Sequence, residues 1–403
     1  MTLSIQAIRY TWTCAVYGAR IGLWPFPAGA MDDETANDTR IVYRVLHRFT
    51  GTDGISPSGE LVQSADGKLY GVTNRGGAFD GGTFYRLAPD GSVTVLHDFG
   101  SPGDGYGPRG APLETAEGVF YGTTSFGGAF GGGTVYKLAV GRAYSVVHSF
   151  EGEGEGPAAG LIEGRDGNLY GTTATGGGFE GGTVFGLSPD GEFWVLHVFD
   201  PFDNVDGAGP AAALLQASDG NLYGTTCCGY GITTEGIVFR LTLSGDYTIV
   251  HVFSGGYAEP RAPLIQAVDG NLYGTTPFGG QDCGTVYRMT LDGVFATVHI
   301  FLSGVEGCGP SSGLLEAGDG YLYGTTSFGG DWQACDRQFG CGTVYRMTLD
   351  GAVTVVHDFD ERKGDTPGAG LTRTANRRLV GSTTDAFTGR AGTVFGLGES
   401  PRP

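Results

Sequence analysis

Long apolar runs are missing from the 403-residue chain, and without a stretch of about 18 or more apolar residues no membrane-spanning helix is expected. Basic residues are scarce. Lys and Arg number 24 against 43 Asp and Glu, a formal net charge of −19 with no Lys/Arg cluster. Such a surface repels nucleic-acid phosphates and anionic membranes, so neither partner is expected. Histidine is rarer still: there are seven, all at one repeated position. With no histidine outside the repeat, both a Ser-His-Asp triad and a His-ligated zinc site are improbable.

Glycine, in contrast, is abundant at 76 residues, and aromatics make up 12%. That combination reads as a turn-rich, all-β globular protein with enough aromatic surface to build a core. The phrase "DGNLYGTT" at 166–173 returns at 219–226 and 269–276. Its parent unit, "GPAAGLIEGRDGNLYGTTATGGGFEGGTVFGLSPDGEFWVLHVF", runs from Gly156 to Phe199. Copies are indexed by Pro57, Pro108, Pro157, Pro210, Pro260, Pro310 and Pro367, and by His47, His97, His148, His197, His251, His299 and His357.

Within the unit four short apolar segments alternate with turn signals, and the Asp-Gly between the first two predicts a hairpin whose central residues both take positive φ. Each unit is thus a four-stranded antiparallel meander, and four strands in a period of about 50 residues describe a β-propeller blade. The ends set the count. "IVYRVLHRF" opens the repeats at Ile41 as a lone fourth strand, and "GTVFGL" closes them at 392–397 as a third strand without a successor. The N-terminal strand is expected to complete the last blade and close the ring at seven, which leaves no sheet edge. The glycine in "YGTT" is expected to let neighbouring blades approach closely.

Residues 41–397 form the expected propeller, preceded by a 1–40 extension and followed by a 398–403 tail. The stretch "YTWTCAVYGARIGLWPFPAGA" resembles a signal peptide, with Ala28-Gly29-Ala30 as a small-residue cleavage site, although Arg20 interrupts its apolar run. A secreted or periplasmic protein follows from that reading. If Met31 is the true first residue, the protein is cytoplasmic.

"DGNLYGTT", "GGT(V/F)(Y/F)RL", "DG" and "(V/L)H-x-F", in this order over residues 41–397, resemble the GloVer tandem-repeat family. The resemblance implies a repeat architecture, often in exported proteins with varied anchoring tails, and no common chemistry. The closing "GLGESPRP" departs from that pattern, and no C-terminal anchor is expected from it. The strand layout is also similar to streptogramin lyases and other seven-bladed propellers, a fold-level analogy silent on activity.

Identical positions maintain the blade, so function is sought where the copies differ. Loops between second and third strands, and connections from one blade's fourth strand to the next blade's first, share one face of the ring. The sixth blade carries "SFGGDWQACDRQFGCGT" there, and the fourth "CCGYGITTEG" after "DPFDNVDGAG". Six cysteines fall in these loops, with Cys335–Cys341, Cys283–Cys308 and a vicinal Cys227–Cys228 as candidate disulfides among 15 pairings. The alternative is six free thiols; a zinc ribbon does not fit the spacing.

Asp53, Asp104, Glu153, Asp206 and Glu306 stand four residues before the repeat proline, each followed by Gly. They read either as a ring of carboxylates at the axial mouth attracting Ca²⁺ or a cationic ligand, or as self-capped Asp-Gly turns. No other cofactor is suggested. Phe126, Phe278 and Phe328 share one loop position, and Phe79, Phe130 and Phe179 another. Exposed, these rings and Trp332 would stack on sugars; buried, they would plug loop against blade.

Two functions compete. The first is an exported, monomeric binding or scaffold propeller for a glycan or protein on the loop face. The second is a polysaccharide lyase or glycoside hydrolase built from Tyr106, Arg109, Tyr257, Glu259, Arg261, Asp331, Asp336 and Arg337. Such chemistry needs two carboxylates or a Tyr/Arg pair near the scissile bond.

Overall fold

In the parent unit the strands Ile162–Glu163, Leu169–Thr173, Thr183–Leu187 and Phe193–Val198 pair antiparallel in sequence order. The computed structural model describes residues 41–399 except 203–205, 229–235, 255–257, 281–282, 303, 332, 334, 336–339 and 386–388. Five sheets are built from four consecutive strands in this way, and in a sixth, blade 2, the inner strand comes as two pieces, Gly105–Pro108 and Leu113–Ala116, both pairing with Val119–Gly127. The seventh joins Thr372–Arg373, Leu379–Thr383 and Thr393–Glu399 to the N-terminal strand Ile41–Arg48, which pairs from Ile41↔Glu399 to Arg48↔Thr393. The result is a ring of seven four-stranded blades closed as the sequence predicts, with no helix among the described residues.

The repeated phrase is a chain of local hydrogen bonds. Gly167 N–H donates to the Gly164 carbonyl at 2.9 Å, and the Asp166 carboxylate accepts from the Asn168 amide at 3.2 Å and from the Tyr170 hydroxyl at 2.7 Å. Only Gly167, at φ 80°, is left-handed. The turn is therefore a four-residue β-turn, 164–167, whose last residue is the left-handed glycine, not the two-residue hairpin with two positive φ values expected from Asp-Gly. Asp219 with Tyr223 and Asp269 with Tyr273 repeat the same clasp at 2.9 Å each.

The "YGTT" glycine also has a different role from the one expected. Gly171 pairs with Phe185 of its own blade, and a Cβ there would lie 2.6 Å from the Phe185 ring. Gly274 and Gly324 stand in the same relation to Tyr287 and Tyr345, at 2.4 Å. The glycine clears space for the buried ring of the third strand, a packing need within the blade rather than between blades. The second threonine then locks the strand pair, with Thr173 and Thr183 hydroxyls 2.8 Å apart.

Contact between blades comes from other residues. Val184 and Phe199 of blade 3 pack with Leu222, Phe239 and Leu241 of blade 4, so a core lies between adjacent sheets. At the loop-face end Gly182, at φ 89°, receives the repeat proline of the following blade: a Cβ would meet Pro210 Cδ at 2.9 Å and the Thr173 carbonyl at 2.2 Å. Gly392 and Pro57 make the same contact where the ring closes.

Candidate functional site

The histidines come first, because they are the residues most able to catalyse and the structure spends them elsewhere. His97 contacts the Asp104 carboxylate at 2.7 Å, stacks on Tyr144 at 3.7 Å and meets Phe99 edge-on at 4.8 Å. Tyr144 opens the outer strand of the next blade, so the ring is a clasp between blades. Asp53, Glu153 and Asp206 lie 2.8, 2.8 and 3.0 Å from His47, His148 and His197, and Glu306 lies 3.3 Å from His299.

These five carboxylates therefore fold back onto histidines of the outer strands. Each is engaged by the histidine of the outer strand that precedes it in the chain. Among the described residues no group of three or more His, Cys, Asp or Glu is placed to hold a metal ion.

The clasps make stability pH-dependent. At Asp53, partial burial raises the pKa but is outweighed by the Thr50 amide and His47, leaving the carboxyl below its ordinary value; at Asp206, burial is likewise outweighed by His197 and the Asp200 amide. Burial, then Lys363, pushes His357 down to about 4, and burial lowers His251. All four groups have folded pKa values below their unfolded ones, so each contribution is complete above the unfolded pKa and lost as pH falls. Histidine losses come first, from about pH 6.5 downward, reaching about 3 kcal/mol for His357. Carboxylate losses follow below about pH 4. Melting scans are expected to show a falling Tm in two stages; a flat profile between neutral pH and the carboxylate range would contradict the burial of His251 and His357.

On the loop face, the upper end of each inner strand meets the second strand at a pair of positions that changes from blade to blade. The pairs include Ile55↔Arg75, Tyr106↔Phe126, Glu155↔Thr175, Ala208↔Cys228 and Cys308↔Phe328. In blade 7 the corresponding residues are two buried aspartates, with the Asp365 amide donating to Asp385 Oδ1 at 2.9 Å and the Asp385 carboxyl raised by burial. Sameness ends at this rim.

Tyr106 and Phe126 form a stacked pair there, centroids 5.3 Å apart and 27° between planes, yet they remain 47% and 45% exposed. Phe79, Phe130, Phe179, Phe202 and Phe278 are exposed as well, whereas Phe328 is half-buried. Every strongly exposed Phe or Tyr among the described residues belongs to this face, in its loops and connections or, for Tyr106 and Phe126, at the strand ends that border them. Each of these rings keeps a large part of its surface in water, more than a buried plug would.

The remaining candidates scatter. Arg109 is exposed beyond Pro108. Glu259 pairs with Arg261 at 2.8 Å in the connection into blade 5. Asp331 accepts the Gln333 amide at 3.0 Å and serves its own turn. Tyr257, Trp332, Asp336 and Arg337 lie outside the described residues. The structure thus brings Tyr106 to Phe126 and Glu259 to Arg261, each within one blade.

Cys283–Cys308 and Cys335–Cys341 are disulfides, the first tying a blade-5 loop to the connection into blade 6. Cys227 and Cys228 are thiols, which corrects the vicinal disulfide. Cys228 is bridged to Ala208 in an extended segment, with its amide 3.3 Å from the Ala208 carbonyl. The two thiols nonetheless sit together: a Cβ on Gly209 would meet the Cys227 and Cys228 Sγ atoms at 3.0 and 3.6 Å, and the contact with Cys228, then burial, pushes the Cys227 thiol up.

One residue escaped the sequence reading. Three positions after the repeat prolines stand Glu60, Ala111, Gly160, Ala213, Pro263, Gly313 and Gly370, one acid among small residues and a proline. That column was the available signal.

Comparison with known proteins places the architecture. The sequence model of the Gloeobacter/Verrucomicrobia repeat matches residues 34–163, 102–259 and 201–395. Among curated proteins none matches the chain in sequence. A streptogramin B lyase structure is similar at 14% identity and TM-score 0.62, covering 89% of this chain and 98% of that one. Virginiamycin B lyase from Staphylococcus aureus gives 13% identity and TM-score 0.62, with 89% and 99% covered. Puromycin hydrolase gives 13% and 0.55, with 84% and 52% covered. At such identities the likeness is one of fold alone.

Proposed function

The chain belongs to the Gloeobacter/Verrucomicrobia repeat family, and from that premise we propose that it is an exported, non-catalytic binding propeller whose loop face takes a glycan. The observation that carries this reading is the confinement of every strongly exposed Phe and Tyr among the described residues to that face. Sugar rings present C–H faces that stack on aromatic planes, while their hydroxyls suit polar groups such as Arg109 at the rim. The stacked Tyr106 and Phe126 supply a platform that is already ordered, so little side-chain entropy is lost on binding. Two cystines in these loops fit an oxidising compartment.

A lyase or hydrolase reading gains less support. Arg261 neutralises Glu259, and the Tyr106/Arg109 segment lies in blade 2 while Glu259 and Arg261 lie before blade 5. Polysaccharide retention by the wild-type protein is expected to weaken when Tyr106→Ala is introduced, by about 2 kcal/mol or roughly thirtyfold in affinity, with a similar loss for Phe126→Ala. Retention unaffected by either change would sink the reading. Binding to a protein but to no glycan would move the same platform to a different partner class.

A further inference from the structure

The inner strands crowd together around blades 1 to 3. A Cβ on Gly110 would fall 1.9 Å from the Gly160 nitrogen, and one on Gly59 would fall 2.5 Å from the Ala111 nitrogen. Blades 5 and 6 also meet closely, a Cβ on Gly313 falling 2.9 Å from the Pro263 ring, and where the ring closes one side chain lies between the inner strands. Glu60 of blade 1 reaches across so that a Cβ on Gly370 of blade 7 would lie 2.1 Å from its Oε1, and a Cβ on Gly313 of blade 6 would lie 3.1 Å from the same atom. Two glycines on two other blades thus make the cradle in which this carboxylate sits. It is surrounded by protein yet keeps part of its surface open to solvent, as a group lining a narrow passage does.

Nothing among the described residues pairs with it. Glu60 makes no hydrogen bond or ion pair, and burial alone pushes its carboxyl up to about 7. The nearby hydroxyls are spent elsewhere: Ser58 donates to the Pro108 carbonyl at 2.9 Å, and Ser312 bonds Thr325 at 2.9 Å. An acid crowded by three blades and without a protein partner loses part of its hydration, and the same position holds Ala, Gly or Pro in every other blade. That loss is offset if something positively charged enters.

We propose that Glu60 makes the axial passage a binding site for one small monovalent cation, either an alkali metal ion or a protonated primary amine. One negative charge in a poorly solvated passage is balanced by one positive charge. A divalent ion such as Ca²⁺ draws on several carboxylates, and no second acid contacts Glu60 in the passage.

The test is thermal melting of the intact propeller at about pH 8.5, where the carboxyl is ionised, at matched ionic strength. Choline chloride is the reference, its quaternary ammonium being larger than any other cation used and without an N–H to donate, and lithium, sodium, potassium and methylammonium chlorides are the arms. At least one arm is expected to raise Tm saturably above choline, a metal arm or the amine arm identifying the source. That increment should vanish in Glu60→Gln and in Glu60→Ala, the latter carrying the residue that blades 2 and 4 already hold at this position. Both variants should melt at least as high as wild type in choline, since an unpaired charge has been removed. No arm exceeding choline, or an increment that survives in both variants, would overturn the proposal.

Discussion

Deletion of Ile41–Arg48 is expected to abolish cooperative unfolding and drive the protein into aggregates. This strand is the whole outer edge of blade 7 and pairs along its length with Thr393–Glu399. Its Tyr43 stacks on His357 at 4.1 Å and packs on Phe359 and Phe395, while Ile41 joins the same core between blades 6 and 7. Losing Ile41, Tyr43 and Leu46 removes on the order of 5 kcal/mol of apolar burial, comparable to the lower end of a whole domain's stability at about 5–15 kcal/mol. The remainder would expose an unpaired strand over Val394, Phe395 and Leu397, residues that are buried in the closed ring. Size-exclusion and thermal scans read the outcome, and a peptide spanning 41–49 added in trans should restore solubility. A soluble monomer with an unchanged transition would show that closure contributes little.

Gly182→Ala is expected to cost more than about 3 kcal/mol, while Gly167→Ala costs only about 1 kcal/mol. Both glycines have positive φ, at 89° and 80°. They differ in what a methyl group would meet. At Gly167 nothing lies within 4 Å, whereas at Gly182 the Thr173 carbonyl and the Pro210 ring stand in the way. Neither neighbour can retreat cheaply: Thr173 is paired with Thr183, and Pro210 begins the next blade. Urea midpoints of the two variants separate backbone strain from lost contact between blades. Equal losses would mean that the glycine-proline junction is not what joins successive blades.

Much of the scaffold was legible because repeated residues do the same job each time. Gly171 and Thr173 recur at fixed spacing in all seven blades and Tyr170 in six, so strand order and ring closure follow from reading them in series. What was hidden depended on variable spacing or on a single break. The histidines and their carboxylates were both visible as series, yet the separation runs from 5 residues at His148–Glu153 to 9 at His197–Asp206, so nothing in one dimension joined them. Gly171 looked like a contact between blades because its cross-strand partner Phe185 lies 14 positions on, beyond a loop. Glu60 was missed for a different reason. Repeat breaks were sought in loops, and this one sits on an inner strand where the only clue is a column of small neighbours.

The loop face was legible in location but not in membership. Phe126 and Phe278 were singled out by shared position, and the structure leaves both exposed; Phe328 shares the position and is half-buried. Exposure depends on how each loop folds over its neighbour, which differs where Cys308 and the blade-6 insertion bring a disulfide into the connection.

The most direct test of the central claim, a loop face that binds sugars without cleaving them, is incubation of the wild-type protein with a panel of neutral and uronate-containing polysaccharides, measuring retention and chain length together. The account predicts retention of at least one polysaccharide with its chain length unchanged, weakened by Tyr106→Ala. New reducing or unsaturated ends that disappear in a Tyr106→Ala, Arg109→Ala protein would contradict it and establish an enzyme on the same face.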